Sequence, residues 1–215
     1  MPDWERLRHE MVAQQLVRRG IRDQRVLDVM AAVPRHEFVP EPYRRLSYDD
    51  DPLPIGAGQT ISQPYMVAAM AESLCLEGRE KVLEVGAGSG YAAAVLADLS
   101  ARVVALEIEA SLVLLARHNL ARTGYQGRVD VIEADGTMGY PPEEPYQAIS
   151  VAAGAPDVPR PLLEQLDLQG GRLVIPVGSA RDQELRLIRR SKSGFTSKVV
   201  TYCRFVPLHG EQGWG

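Results

Sequence analysis

A glycine-rich turn between an apolar run and an alanine-rich stretch is the feature that most constrains this chain. Residues 81–91 read KVLEVGAGSGY, which puts glycine at positions 86, 88 and 90. The apolar residues before the turn suit a buried parallel strand, and the residues after it are good helix formers. Glycine permits positive φ angles, and it lets a ligand approach the backbone beside the unpaired N–H groups that begin a helix. The pattern predicts a strand, a ligand-binding turn and a helix.

The spacing of the glycines restricts the ligand. The dinucleotide fingerprint G-x-G-x-x-G would need a third glycine at position 91, where the chain has Tyr91. The phosphate-binding string G-x-x-x-x-G-K-[ST] does not occur in the sequence. G-x-G-x-G directly after a strand resembles motif I of the class I S-adenosylmethionine-dependent methyltransferases. The alternative is a tight strand-to-helix turn that binds no ligand.

Two acidic residues stand where the next strands are expected to end. Residues 102–107 indicate a second strand that ends in Glu107, and residues 128–135 a third that ends in Asp135. An acid at the end of the second strand can accept both hydroxyls of a ribose, as in the dinucleotide folds. We expect Asp135, which Gly136 follows, to accept the amino group of an adenine. A solvated strand end for Glu107 and a turn aspartate for Asp135 are the structural alternatives.

Strand and helix signals alternate along the chain. They predict a doubly wound, mostly parallel, seven-stranded α/β sheet, preceded by an N-terminal helical addition. The resemblance to motif I implies that this sheet is of the Rossmann-like methyltransferase type. We expect a single domain over 1–215, in which 1–64 holds the N-terminal helices and an active-site loop and 65–215 holds the cofactor-binding core. The expected strands are 82–85, 102–107, 128–135, 147–151, 172–177, 184–189 and 198–206, and the expected helices are 3–19, 23–34, 62–74, 91–99, 111–123 and 159–166.

An irregular, proline-rich stretch over 40–64 ends in the string GQTISQP. A long irregular segment inside a compact domain is usually functional or disordered, and the apolar residues of this one favour an ordered functional loop. A helix is expected to begin near Ser62, with Ser62 as its N-cap and Pro64 in its first turn. The other interpretation is that Thr60, Ser62 and the helix N–H groups hold an anion. The two roles of Ser62 are compatible.

Composition limits the partners. The net charge of −4 gives no general support for binding nucleic acid, and the two cysteines form no metal or redox motif. The first residues lack the apolar region of a signal peptide, and no apolar run approaches the ~18 residues of a membrane span. We therefore expect a cytoplasmic protein that binds no metal, no nucleic acid and no membrane. We also expect a monomer.

No side chain stands out as a general base. The four histidines are scattered, and the Asn/Asp-Pro-Pro-Tyr string common in methyltransferases that act on planar amines is absent after the fourth strand, where 151–156 reads VAAGAP. A carboxylate acceptor is ionised at neutral pH and needs no base. An enzyme for such an acceptor mainly has to position the two reactants. This requirement supports the anion-holding interpretation of Thr60 and Ser62.

Five strings carry a family resemblance. The chain resembles protein-L-isoaspartate O-methyltransferase over nearly its whole length, and the GQTISQP string is specific to that family. The matching strings are PRHEFVP (34–40), LPIGAGQTISQP (53–64), VLEVGAGSGY (82–91), GGRLVIPVG (170–178) and FVPL (205–208). Gln147 and His209 depart from the family pattern.

The resemblance implies methyl transfer from S-adenosylmethionine to the free carboxylate of an L-isoaspartyl residue in damaged proteins and peptides. S-adenosylhomocysteine is the other product, and the ester then closes to a succinimide without the enzyme. The active-site serine of the family maps onto Ser62, which we pair with Thr60. The implied cofactor-binding residues are Glu84, Gly86, Gly88, Ser89, Gly90, Glu107, Asp135 and Gly136. A methyltransferase with a small-molecule or RNA acceptor and a non-catalytic cofactor-binding protein are the alternatives that the sequence leaves open.

Overall fold

Short apolar runs form the strands of two sheets in the computed structural model, which describes residues 2–214. A hairpin consists of β1 (Leu53–Gly56) and β2 (Gln59–Ile61). The main sheet has seven strands, which are β3 (Lys81–Val85), β4 (Arg102–Glu107), β5 (Val129–Glu133), β6 (Ala148–Val151), β7 (Arg172–Gly178), β8 (Gln183–Ser191) and β9 (Gly194–Cys203).

The main sheet has the order β5-β4-β3-β6-β7-β8-β9. Strands β3 to β7 pair in parallel, while β8 and β9 are antiparallel to their neighbours. This confirms the predicted doubly wound, mostly parallel sheet. Strand order reverses at β3, between β4 and β6, so the carboxyl ends of these three strands border one crevice, which is where ligands bind in such folds.

The helices cover the sheet because the two faces of its central strands are both apolar. Val82 and Leu83 are adjacent in β3, are fully buried, and belong to two different apolar cores. The first core includes residues from five helices and the second includes Leu162 of the sixth. The helices are α1 (Trp4–Met11), α2 (Gln24–Ala32), α3 (Pro64–Leu74), α4 (Tyr91–Leu99), α5 (Ala110–Arg122) and α6 (Arg160–Glu164).

The N-terminal helical addition is confirmed. Helix α1 begins after Asp3, whose side chain accepts a hydrogen bond from the N–H of Arg6, and it continues as a wider π-helical segment over Val12–Val17. Asp23 caps α2 by accepting from the N–H of Arg25 at 2.9 Å, as the sequence predicts. Both helices contribute to the first core, so the addition is packed against the sheet domain.

The loop over 40–64 is ordered, but it differs from its sequence-based prediction in two ways. It contains a 3-10 helix (Glu41–Leu46) and the hairpin β1–β2, which the sequence analysis missed. Ser62 as the N-cap of α3 is wrong, because the cap position is Gln63 and has no side-chain cap bond. Ser62 still belongs to the extended chain that leaves β2. The N–H of Tyr65 instead donates to the carboxylate of Asp50, at 3.3 Å.

The last predicted strand ends too late. It was expected over 198–206, whereas β9 ends at Cys203. The next residues leave the sheet because the side chain of Gln183 pairs with the backbone of Phe205 on both sides, donating to its carbonyl and accepting from its N–H at 2.8 Å. Within residues 2–214, none of the helices has the length and apolar character needed to cross a membrane.

Candidate functional site

The glycine turn joins β3 to α4 at the crevice. Gly86, Gly88 and Gly90 all have positive φ angles, of 89°, 53° and 86°, which glycine adopts without strain. The N–H groups of Gly86 and Ala87 both donate to the carbonyl of Leu106 in β4, at 2.9 and 3.0 Å. These bonds fix the turn against the neighbouring strand.

The three glycines do not have the same role. Gly86 and Gly88 line the cavities described below. Gly90 is not among the lining residues, and a Cβ atom there would lie 3.1 Å from Cγ of Leu120 and 3.3 Å from the carbonyl of Ala116, both in α5. Gly90 therefore allows α5 to pack closely against the turn.

Glu107 lies where the sequence places it, at the end of β4. Its side chain is 6% exposed and accepts three backbone hydrogen bonds, from the N–H groups of Gly88 (2.9 Å), Ile108 (2.9 Å) and Glu109 (3.0 Å). The carboxylate is thereby held between the glycine turn and the start of α5. It lines a cavity, where its remaining acceptor capacity is free to receive further hydrogen bonds.

Two adjoining cavities, of about 580 and 540 Å³, run along the crevice. Both are lined by Thr60, Gly86, Gly88 and Ala152, so they are two parts of one space, which we call the cofactor cleft. The first part lies between α3 and α4, and Ser62, Ser89 and Ser150 line it. The second part lies over β4, and Glu107, Gly136 and His209 line it.

A third, smaller space of about 310 Å³ adjoins the cleft on the side of the hairpin, and we call it the side cavity. Thr60 and Ser62 line both the side cavity and the cofactor cleft. Both residues are partly exposed. Their hydroxyl-bearing side chains therefore lie at the junction between the two spaces. The residues that line the side cavity are Pro52, Thr60, Ser62, Gln63, Met66, Arg204, Phe205 and Val206.

Glu84 lies below the cleft and is not among its lining residues. It is fully buried in β3, next to Ser150 of β6 in register, and neither carboxylate oxygen has a hydrogen-bond partner within residues 2–214. Burial, with a smaller effect of the Glu107 carboxylate, raises the pKa of Glu84 well above its ordinary value of 4.5. A buried polar group without a partner is costly, so Glu84 is poised to pair with a polar group that enters the cleft above it.

Asp135 has a structural role in this structure. Its carboxylate caps a short 3-10 turn by accepting from the N–H and hydroxyl of Thr137, at 2.9 and 2.7 Å, and it accepts from the N–H of Glu211 at 2.8 Å. Burial acts to raise the pKa of Asp135, but these hydrogen bonds outweigh it and hold that pKa below its ordinary value. Asp135 is not a lining residue of the cofactor cleft, whereas the adjacent Gly136 is.

Gly136 permits a close approach between two elements. A Cβ atom there would lie 2.4 Å from Cγ1 of Val85, at the end of β3. Any larger residue would push the turn after β5 away from the cleft.

The sequence analysis missed several lining residues. Ser150 and Ala152 come from the end of β6, where a single serine in an apolar run gives no functional signal. Residues 206–209 were read partly as strand, but they cross the cleft because the carbonyl of Gly154 accepts from Leu208 N and the N–H of Gly154 donates to Val206 O, both at 2.8 Å. The signal that could have found them is the FVPL string itself.

The two positions that depart from the family pattern lie in different places. Gln147 is remote from the cleft: its side chain accepts from the N–H of Lys81, at the start of β3, and donates to Asp167. His209 lines the second part of the cofactor cleft. Of the two, only His209 bears on the site.

The geometry fits an S-adenosyl cofactor. The glycine turn follows the central strand, and the hydrogen-bonded carboxylate of Glu107 ends the next strand. The buried carboxyl of Glu84, which has no hydrogen-bond partner within residues 2–214, lies beneath the first part of the cleft. The two hydroxyls of a ribose need a carboxylate such as Glu107 that can accept from both. A charged amino group can pair with a buried carboxyl such as Glu84 that has no other partner in the described residues. This fold and site define a class I S-adenosylmethionine-dependent methyltransferase.

Comparisons with known proteins give the family. The model of the protein-L-isoaspartate(D-aspartate) O-methyltransferase (PCMT) family matches residues 7–213, and the chain belongs to that family. Over 214 residues it is 54% identical to protein-L-isoaspartate O-methyltransferase 2 of Marinobacter nauticus, covering 99% of this chain and 97% of that protein. Over 210 residues it is 51% identical to protein-L-isoaspartate O-methyltransferase of Methanoculleus marisnigri, covering 97% and 94% of the two chains.

Solved structures agree with this assignment. A protein-L-isoaspartate O-methyltransferase superposes with a TM-score of 0.84 at 28% identity, over 95% of this chain and 67% of that one. A crystal structure from Plasmodium falciparum, described as a protein-L-isoaspartate O-methyltransferase in complex with S-adenosyl-L-homocysteine, gives a TM-score of 0.81 at 27% identity, over 94% and 98%.

Proposed function

We propose that this protein transfers the methyl group of S-adenosylmethionine to the free carboxylate of L-isoaspartyl residues in damaged proteins and peptides, which initiates their repair. The observation that carries the proposal is the position of Thr60 and Ser62, which line both a cleft of cofactor type and a second space beside it. Family membership favours this acceptor over the small-molecule and RNA acceptors, and over a non-catalytic protein, that the sequence leaves open.

The cofactor, when bound, supplies an electrophilic methyl group on a sulfonium. Glu107 would accept the ribose hydroxyls with the acceptor capacity that its three backbone bonds leave free. Glu84 would accept from the amino group of the methionyl part, which would end its isolation. Gly86, Gly88 and Ser89 line the first part of the cleft, and the two glycines allow a ligand to approach the backbone closely.

Three of the proposed cofactor residues act less directly. Gly90 keeps α5 close to the glycine turn, and Gly136 keeps the turn after β5 close to β3. Asp135 already accepts three hydrogen bonds. It remains a candidate for binding the adenine amino group because a carboxylate can accept a further one. Its contribution in the free protein is to anchor the C-terminal segment through Glu211.

Thr60 and Ser62 would hold the acceptor carboxylate at the junction by donating hydrogen bonds. Their hydroxyl groups keep their protons throughout, because the attacking oxygen already carries the negative charge. The bound cofactor would supply its methyl group to that oxygen and leave as S-adenosylhomocysteine, and no proton would need to move. The contribution of the protein is to align the reactants, which in well-oriented systems lowers a barrier by several kcal/mol.

The direct test is methyl transfer from labelled S-adenosylmethionine to an isoaspartyl peptide. The matched control is the same peptide with a normal aspartyl residue, which differs only in where the chain continues. We expect label in the isoaspartyl peptide and background label in the control. Equal labelling of both peptides, or of neither, would contradict the proposed function.

We further propose that the protein acts as a cytoplasmic monomer without a nucleic-acid or membrane partner. The net charge of −4 disfavours nucleic acid, and Cys75 and Cys203 are both free, as suits a reducing compartment. Light scattering at micromolar concentration tests the monomer, and a dimeric mass would contradict it.

A further inference from the structure

The segment after β9 carries a positive charge to the side cavity. Arg204 lines that cavity together with Thr60 and Ser62. Of the residues 2–214 that the structure describes, it is the one charged residue in this lining. Its side chain is exposed and makes no salt bridge within the same range. The cation is therefore available to a group that enters from solvent.

The backbone that follows Arg204 is held by hydrogen bonds. Gln183, which is 2% exposed, holds the neighbouring Phe205 through two hydrogen bonds, and Gly154 holds Val206 and Leu208 through two more. A Cβ atom at position 154 would lie 2.3 Å from Nε2 of Gln183, so the absence of a side chain there lets Gln183 and Gly154 hold this segment together. The side chain of Arg204 thus extends from the start of a segment held by hydrogen bonds, beside the hydroxyl groups of Thr60 and Ser62, and not from a mobile surface loop.

The negative charges around the cleft make the Arg204 cation useful for binding an anionic acceptor. Glu107 presents a carboxylate to the cofactor cleft, and the protein as a whole is negative, at −4. An acceptor that is itself a carboxylate meets repulsion from both. A single cation at the entrance offsets that repulsion and attracts the acceptor toward Thr60 and Ser62.

We propose that Arg204 is a substrate-binding residue, which recognises the anionic isoaspartyl carboxylate in the side cavity and guides it to the junction at Thr60 and Ser62. This inference rests on the proposed function. It assigns the side cavity as the entry path of the acceptor, separate from the cofactor cleft. It also explains how a protein of negative net charge can select an anionic acceptor.

The test compares steady-state kinetics of Arg204→Ala with the parent enzyme on one isoaspartyl peptide. We expect KM for the peptide to rise about fivefold, the effect of one ion pair near a surface, with kcat and the Kd of S-adenosylmethionine changed less than about twofold. Arg204→Glu should raise KM further, and Arg204→Lys should restore most of the loss because it restores the charge. An unchanged KM in Arg204→Ala, or failure of Lys to restore it, would overturn the proposal.

Salt and a control variant separate charge from shape. At about 1 M salt, where the Debye length is about 3 Å, the KM values of the parent and Arg204→Ala should converge. Lys192→Ala removes one exposed cation from the turn between β8 and β9, at the far end of the sheet, and should leave KM unchanged. An equal rise in Lys192→Ala would show a general charge effect and overturn the assignment. A parent enzyme that fails to methylate the peptide would contradict the proposed function itself.

Discussion

Two glutamates on neighbouring strands illustrate how environment decides the role of a residue. Glu107 accepts three backbone hydrogen bonds and lines the cofactor cleft, while Glu84 is fully buried and accepts none from the part of the chain that the structure describes. Both were assigned to the cofactor from the sequence, by strand position for Glu107 and by resemblance for Glu84. The lack of partners at Glu84 could not be read from the sequence, because it depends on what packs over β3.

Glu107→Gln should weaken S-adenosylmethionine binding by about 1–3 kcal/mol, since a charged acceptor of hydroxyl groups becomes neutral. It should also lower the free energy of unfolding, because the N–H of Gly88 loses its acceptor. Calorimetric titration of the folded variant measures the first effect. Glu133→Gln is the matched control, being exposed at the end of β5 in register with Glu107. Equal affinities in all three proteins would remove Glu107 from the cofactor site.

Glu84→Gln should change how stability depends on pH. The pKa of Glu84 is raised in the folded protein, so between its unfolded value of about 4.5 and its folded value the folded state binds more protons, and stability falls as pH rises. A neutral glutamine removes this loss. We expect the advantage of the variant in unfolding free energy to grow above pH 4.5 by up to about 1.4 kcal/mol per pH unit and then to level off.

Urea unfolding without cofactor, at several pH values, measures this advantage. The Glu133→Gln protein again serves as the control for a generic charge change. A difference between Glu84→Gln and the parent that does not vary with pH would show that Glu84 titrates normally.

Ser62→Ala should lower the single-turnover rate by about tenfold to a hundredfold, as expected for a hydrogen bond to a charged group, with much less effect on cofactor affinity. Because Ser62 does not cap α3, the free energy of unfolding of the variant should differ from that of the parent by less than about 0.5 kcal/mol. Ser73→Ala, which removes a hydroxyl that bonds the carbonyl of Ala69 within α3, is the control and should retain the parent rate. An undiminished rate in Ser62→Ala would end its assignment to the acceptor.

At the scale of elements, local patterns sufficed where neighbours in sequence determine the structure. The strand over Arg102–Glu107 and the helix over Tyr91–Leu99 have the predicted bounds, because apolar runs and helix formers act locally. The hairpin β1–β2 was missed, since its strands are short and one contains Pro54. The predicted N-cap of α3 was wrong because β2 continues to Ile61, so that the helix begins only at Pro64. The N–H of Tyr65 in the first turn donates instead to Asp50, which is distant in sequence.

Gly136→Ala tests the close contact between two elements of the cleft. The added Cβ would lie 2.4 Å from Cγ1 of Val85, so we expect a loss of about 1–3 kcal/mol in unfolding free energy and weaker cofactor binding. In a double-mutant cycle, Val85→Ala should relieve part of this loss, which gives a favourable coupling between the two changes. Strictly additive losses would place the cost elsewhere.

At the scale of the whole molecule, the architecture was predictable and the completion of the site was not. Alternating strand and helix signals suffice for a doubly wound sheet, and the glycine turn with Glu107 predicts which end of the sheet holds the cofactor. The C-terminal segment crosses the cleft through Gly154, Gln183 and Asp135, which are contacts between residues far apart in sequence. We propose one domain for the chain, since the N-terminal helices share the core of the sheet.

We propose that the enzyme positions an acceptor that is already ionised and uses no base. Single-turnover formation of S-adenosylhomocysteine, with saturating cofactor and isoaspartyl peptide, tests it at about pH 6 and about pH 8. An isoaspartyl carboxylate titrates near pH 4, so its reactive form is saturated throughout this range. We expect the two rates to differ by less than about threefold. A rise of about tenfold per pH unit would show that a deprotonation limits the chemistry, and would contradict a mechanism without a base.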